Sequence, residues 1–320
     1  MPRKRAWIAL QVVFFTVAVW YFGDQVVRDR DALKALPATL HPNWWGIAES
    51  AGWVVLCYAV LIETWRRTVI AWGARLGWGT AARIWFVSNL GRYVPGKIWQ
   101  IGAMGALAQA AGVSGIAAMG SSIVVNLANL FAGCLVVVLA GSSRLAVPGF
   151  ATGLVVCVAA IAATPWLLPR AARIAQRVTG REIPEPRIPV RSIIVAIAGC
   201  SLAWLLYGVA FRTLAIAILP GAAGLTSQYA AVFTLSYLTG YLALFAPGGI
   251  GVREGALTKL LTLASLTTGA EAVLLAVVSR LWLTVLEAAP GLFLLALRRT
   301  HSVHDTNPTN GSQTNHTRGA

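Results

Sequence analysis

Arg253 and Glu254 stand side by side just after Pro247-Gly248-Gly249-Ile-Gly251, inside an otherwise apolar run. Pro247 removes a backbone donor and clashes with the preceding turn, while the three glycines loosen the chain, so a continuous membrane helix is not expected here. Freed backbone groups are tolerated at membrane depth only where protein or a wet cavity satisfies them, and charges there point to a functional site. As a neutralised pair beside a helix end, Arg253 and Glu254 are expected to open and close around a zwitterionic or anionic group. A weaker counterpart lies upstream in Arg92-Tyr-Val-Pro95-Gly96-Lys97. There two cations flank a break that exposes helix-end N–H groups, a natural cradle for a phosphate; the plainer alternative is that both merely snorkel to the interface.

Further charges lie deep in apolar segments. Arg280 and Glu287 fall within the last long apolar run, and their spacing of seven sets them on one helical face. At that depth each charge costs at least about 2.5 kcal/mol, so both are expected to face a cavity or a partner. A structural ion pair, with Asn126 and Asn129 nearby, competes with a transport role. Arg212, two turns from the end of its run, is a weaker candidate that can also snorkel.

Other chemistries find little support. The four cysteines, Cys57, Cys134, Cys157 and Cys200, sit in apolar segments at unrelated spacings and form neither a zinc pattern nor a disulfide framework. His301, His304 and His316 lack partner ligands, so no metal ion or organic cofactor is called for. Asp29 and Asp31 would suit a metal-dependent membrane glycosyl or lipid-linked transferase, but Arg28, Arg30 and Lys34 interleave with them and read more simply as a solvated, internally paired stretch.

The elements that must position these residues are membrane spans. Hydrophobic residues make up 57% of the chain and charged residues only 12%, far from soluble averages. The net charge of +15 does not mark a nucleic-acid binder, because Lys and Arg fall between apolar runs and not in one patch. The positive-inside rule explains the excess instead. Full spans are expected at 6–22, 44–62, 114–140, 148–168, 192–219 and 270–297. Segment 169–191 is the most basic, with Arg170, Arg173, Arg177 and Arg181 on one face of an amphipathic helix laid on anionic inner-leaflet lipids.

Orientation then makes the first broken segment begin and end on the cytoplasmic side and the second on the outer side. Each is preceded by one span and followed by another, an inverted repeat of 44–140 and 192–297 with discontinuous helices at a midplane site. The fold expected is an all-α polytopic membrane protein with about six full spans and two re-entrant hairpins, or eight spans if each arm crosses. Residues 1–299 form one membrane domain, and 300–320 a polar tail expected to be disordered.

At these motifs the chain resembles the lysylphosphatidylglycerol synthase transmembrane-region family of flippase-like membrane proteins. The family's Arg-x-x-Pro-Gly-Lys element matches Arg92 to Lys97, and its Pro-Gly-Gly-x-Gly-x-x-Glu element matches Pro247 to Glu254. The likeness in length and span order covers about residues 1–300. It implies a bacterial or archaeal inner-membrane protein whose relatives move a lipid headgroup between leaflets; the positive-inside rule separately places both termini on the cytoplasmic side. Some relatives carry a soluble aminoacyl-transferase domain. Only a short tail follows Leu297, so synthesis of the aminoacylated lipid is not expected of this chain.

The expectation is thus a non-enzymatic transporter of a phospholipid or lipid-linked headgroup, with Arg92, Pro95, Gly96, Lys97, Pro247, Gly248, Gly249, Gly251, Arg253, Glu254, Arg280 and Glu287 on the path. The alternatives are the transferase and a membrane scaffold for a separate lipid-modifying enzyme docked at 169–191.

Overall fold

The computed structural model describes residues 40, 42–93, 98–141, 170, 173, 190–219, 221–243 and 249–304, with backbone alone at 92, 93, 98, 99 and 297–304. Among the described residues the chain is all helical. In order these are α1 (Trp44–Ala71), α2 (Trp78–Asn89), a 3-10 turn (Leu90–Tyr93), α3 (Ile98–Ala110), α4 (Gly115–Ala140), α5 (Val190–Ile218), α6 (Thr226–Leu242), α7 (Val252–Leu263) and α8 (Gly269–His304).

The helix starts follow local chemistry. The Asn43 side chain accepts from the amides of Trp45 and Gly46 and so caps α1. Ser114 does the same for α4 through the Ala117 amide. At α8, Thr268 and Glu271 form a reciprocal capping box, the Thr268 amide donating to Glu271 Oε2 at 2.8 Å and the Glu271 amide to Thr268 Oγ1 at 3.5 Å.

Four helices, α1, α4, α5 and α8 through Ala296, are long and apolar enough to cross a membrane. They coincide with four of the six spans expected from the sequence; the other two, at 6–22 and 148–168, lie outside the described residues. Large apolar side chains on their outer faces, among them Leu56, Leu139, Ile194, Leu281 and Phe293, are exposed, as a lipid-facing surface requires. Two bounds differ from expectation. Helix α1 runs nine residues past Ile62 to Ala71, because Glu63 holds Arg66 and Arg67 in ion pairs at 2.8 Å each and keeps that charged turn helical. Helix α8 continues past Leu297 to His304, with Pro290 accommodated inside it.

Helices α2 and α7 have 12 residues each, about 18 Å of helix against a hydrocarbon core of about 30 Å. Neither crosses alone. Helix α6, with 17 residues, reaches about 26 Å. The chain between α2 and α3 and between α6 and α7 contains the two Pro-Gly breaks, whose residues 94–97 and 244–248 lie outside the described part.

The closest helix pair is α1 against α5. Asn43 N donates to Ala217 O at 2.8 Å, Ser50 Oγ to Ala210 O at 2.6 Å, and Cys57 Sγ to Ala203 O at 3.5 Å. The contacts step by seven residues up one helix and by seven down the other, so the two run antiparallel with small residues along the seam. Small residues let membrane helices approach until dispersion and weak polar contacts hold them together. Around this pair, α4 packs on α5 and α6, α3 on α4, α7 on α6 and α8, and α2 on α8. The core holds Tyr58, Trp65, Trp204, Phe211, Tyr229 and Phe233.

Candidate functional site

The second break delivers its charges through two glycines with left-handed backbone. Gly249 has φ of 69° and Gly251 of 81°, a region that L side chains adopt only with strain. Gly249 also packs directly on the chain before the break. A Cβ there would meet the Gly240 carbonyl oxygen at 2.7 Å and its Cα at 2.9 Å, and a Cβ on Gly240 would meet Arg253 Cβ at 2.7 Å. These contacts fold α7 back onto α6 and bring Arg253 and Glu254 to its first turn.

Both charged residues are 4% exposed. Glu254 Oε2 accepts from the Gly251 amide at 2.6 Å, capping α7. Its other oxygen faces Arg280 Nη1 at 3.6 Å, an ion pair longer than a hydrogen bond. Arg253 does not pair with Glu254, in contrast to the neutralised pair expected from their adjacency. Consecutive helical residues point about 100° apart and do not face each other. The Arg253 guanidinium instead lies over two rings of α6, 5.2 Å from the Phe233 centroid and 4.9 Å from that of Tyr237. Its Nη2 is buried without a hydrogen-bond partner in the protein. The Glu254 carboxylate is thus held by the amide end of α7 on one oxygen and by Arg280 on the other, while Arg253 rests on the rings of α6.

Tyr237 also lines a cavity of about 100 Å³, where one water needs about 10–15 Å³. Every long helix contributes to its wall: Tyr58 and Trp65 from α1, Asn126 and Asn129 from α4, Trp204 and Tyr207 from α5, and Glu287 from α8. Trp85 and Asn89 of α2, Gln100 of α3 and Tyr237 of α6 complete it. Several of its amide side chains are tied to the frame. Asn126 Nδ2 donates to Ser122 O at 2.8 Å, and its Oδ1 accepts from Tyr241 Oη at 3.2 Å, joining α4 to α6 just before the second break. Gln100 Nε2 donates to Asn89 Oδ1, joining the two arms of the first break.

The structure thus sorts the residues expected from sequence. Arg253, Glu254 and Arg280 meet in one cluster, with Gly249 and Gly251 supporting it. Glu287, Asn126 and Asn129 meet in the cavity. Arg280 and Glu287 share a helix face yet serve different neighbourhoods, the first reaching Glu254 and the second lining the cavity. Arg212 does neither: its Nε donates to Gly224 O at 3.2 Å and braces the loop between α5 and α6. Arg92 belongs to the 3-10 turn by its backbone, while Pro95, Gly96, Lys97, Pro247 and Gly248 lie outside the described residues. Arg170 and Arg173 are helical and exposed; Arg177, Arg181, Asp29 and Asp31 are outside the described part.

Sequence reasoning missed the cavity's aromatic wall and the Asn89–Gln100 contact. Aromatic residues in apolar spans read as core or interfacial anchors. Only the position of Asn89 and Gln100 on either side of the Arg92–Lys97 motif could have singled those two out.

No family model matches the chain, and no curated protein matches its sequence.

Proposed function

We propose that this chain is an integral membrane transporter that moves a phospholipid or lipid-linked headgroup between leaflets. The observation that carries this reading is the polar, partly aromatic cavity walled by helices of both halves, with the Arg253–Glu254–Arg280 cluster beside it. A headgroup cannot cross hydrocarbon unaided, and such a cavity offers it polar contacts at depth.

The architecture we attach to the reading is an inverted repeat with α1 to α4 equivalent to α5 to α8. Two features support it. The equivalent helices α1 and α5 run antiparallel. Exchanging the halves also turns the packing pairs α4/α5, α2/α8, α3/α4 and α2/α3 into α1/α8, α4/α6, α7/α8 and α6/α7, and each of these is present. The short arms on either side of each break suit re-entrant hairpins, giving six full spans with 6–22 and 148–168. The likeness of both Pro-Gly motifs to the lysylphosphatidylglycerol synthase transmembrane-region family points the same way, to an inner membrane and a lipid substrate.

In this mechanism the cluster at the start of α7 takes the phosphate of the headgroup. The Arg253 guanidinium, whose buried Nη2 donates to no protein group, provides the attraction, and the Gly249–Gly240 contact is the hinge at which the arms separate. The test is leaflet exchange of fluorescent phospholipids in proteoliposomes. The intact protein accelerates exchange over empty vesicles, while Glu254→Gln and Arg92→Ala slow it without loss of folded protein. Exchange no faster than in empty vesicles across several headgroups overturns the reading in favour of the transferase or scaffold.

A further inference from the structure

The two arms of the first break carry a second recess at the end away from the break. It is a groove of about 310 Å³, lined by Thr80, Arg83 and Ile84 of α2 and by Leu107, Ala110 and Ala111 at the close of α3. One water needs about 10–15 Å³, so the groove has room for a run of methylene groups. Its wall is divided: Thr80 and Arg83 form the polar part, and the other four side chains are apolar. The groove also lies near the start of α2, where Trp78 is 49% exposed and Arg75, three residues earlier, is exposed as well. An exposed Trp beside a cation suits the headgroup level of a bilayer. Arg83 follows Trp78 by about 7.5 Å of helix, a depth from which its side chain reaches back to that level.

Positive charge there is left unbalanced. Glu63 is the one acid between residues 63 and 111 of the sequence, and it is committed to Arg66 and Arg67 at 2.8 Å each. The Arg75 and Arg83 side chains are exposed and make no hydrogen bond or ion pair with any described residue. Gly77 caps α2 without a side chain, so the first-turn amides of α2 add to the positive field.

We infer that this groove is a standing site for an anionic phospholipid of the adjoining leaflet, with its phosphate at Arg83 and one acyl chain along Ile84, Leu107, Ala110 and Ala111. Cations at headgroup depth and apolar walls beneath them follow the order of phosphate and chain in such a lipid. Arg75 adds to the attraction. A zwitterionic lipid gains the same apolar contact but carries no net charge for the two cations, each of which favours an anionic lipid by about fivefold. On the orientation proposed above this is the cytoplasmic leaflet, whose surface is negative. The groove shares no lining residue with the central cavity and none with the Arg253 cluster, so the inference goes beyond the transport reading and stands without it.

Photocrosslinking of the full chain in nanodiscs tests this with two probes, phosphatidylserine and phosphatidylcholine carrying the same diazirine-bearing acyl chain, and peptide mass mapping locates the adducts. Adducts at residue 84 and residues 107–111 are expected to be about fivefold or more abundant with phosphatidylserine. Arg83→Gln is expected to lower the phosphatidylserine adducts by about fivefold. Ala110→Trp, which fills the groove at unchanged charge, is expected to remove the adducts of both lipids. Both replaced side chains are exposed, so neither change disturbs the core. Equal labelling by the two lipids overturns the inference and makes the groove an unselective lipid contact. Absence of adducts in these segments overturns it too, because the groove is then covered by protein, and so does labelling unchanged in both variants. Leaflet exchange enters none of these readouts, so the site and the transport reading fail separately.

Discussion

Glu254 does two jobs with its two oxygens, one closing the first turn of α7 at the Gly251 amide and the other facing Arg280. The jobs are separable. Glu254→Gln keeps an oxygen for the Gly251 amide and loses the charge, whereas Glu254→Ala loses both. Removing one partner of a buried ion pair typically costs about 3–5 kcal/mol, and loss of a cap about 1 kcal/mol more. The order of thermal stability in detergent is therefore predicted as intact protein above Glu254→Gln above Glu254→Ala, and equal melting of the two variants would contradict the capping role. The charges of this site were legible in the sequence because Arg and Glu are rare in apolar runs. The seat of Arg253 was not, because Phe233 and Tyr237 lie on another arm and are ordinary residues of an apolar helix.

At the scale of elements, two close approaches hold the architecture. Gly249→Ala places a side chain at φ of 69° and into the Gly240 backbone. The left-handed conformation alone costs about 1–2 kcal/mol, and the clash adds to it, so a clear drop in melting temperature is predicted; an unchanged melting temperature would mean the arms do not close this way. In the α1/α5 seam, a Cβ on Gly199 would lie 2.0 Å from Thr64 Oγ1. Gly199→Leu is predicted to destabilise by about 1–3 kcal/mol or more through overpacking, and pairing it with Thr64→Ala to recover part of the loss. Melting curves of the single and double variants read this directly. The long helices were legible from uncharged length alone. The extension of α1 to Ala71 was not, since it depends on Glu63 pairing with both Arg66 and Arg67, and a charged turn after an apolar run reads as the end of a span.

At the scale of the whole molecule, the inverted arrangement we propose sets the chain before α2 and the chain before α6 on opposite membrane faces. In a background lacking the four cysteines, Arg75→Cys is predicted to react with an impermeant thiol reagent from the cytoplasmic side and Ala223→Cys from the outer side. Reaction of both from one side would contradict the repeat. The expected orientation comes from charge asymmetry, because Arg66, Arg67, Arg75 and Arg83 cluster from the end of α1 to the start of α2 while residues 220–228 carry no charge. The cavity was beyond reach from sequence because its wall gathers six aromatic residues from four separate helices, α1, α2, α5 and α6, and no local spacing records that convergence.

A headgroup that passes through this cavity is blocked by bulk placed within it. Leaflet exchange is followed in proteoliposomes carrying Asn126→Cys in the cysteine-free background, before and after reaction with a bulky thiol reagent. Asn126 lines the cavity and its Oδ1 accepts from Tyr241 beside the second break. Exchange that is fast before modification and falls to the empty-vesicle rate after it is the predicted result. Exchange unchanged by complete modification would place the path elsewhere and contradict the account.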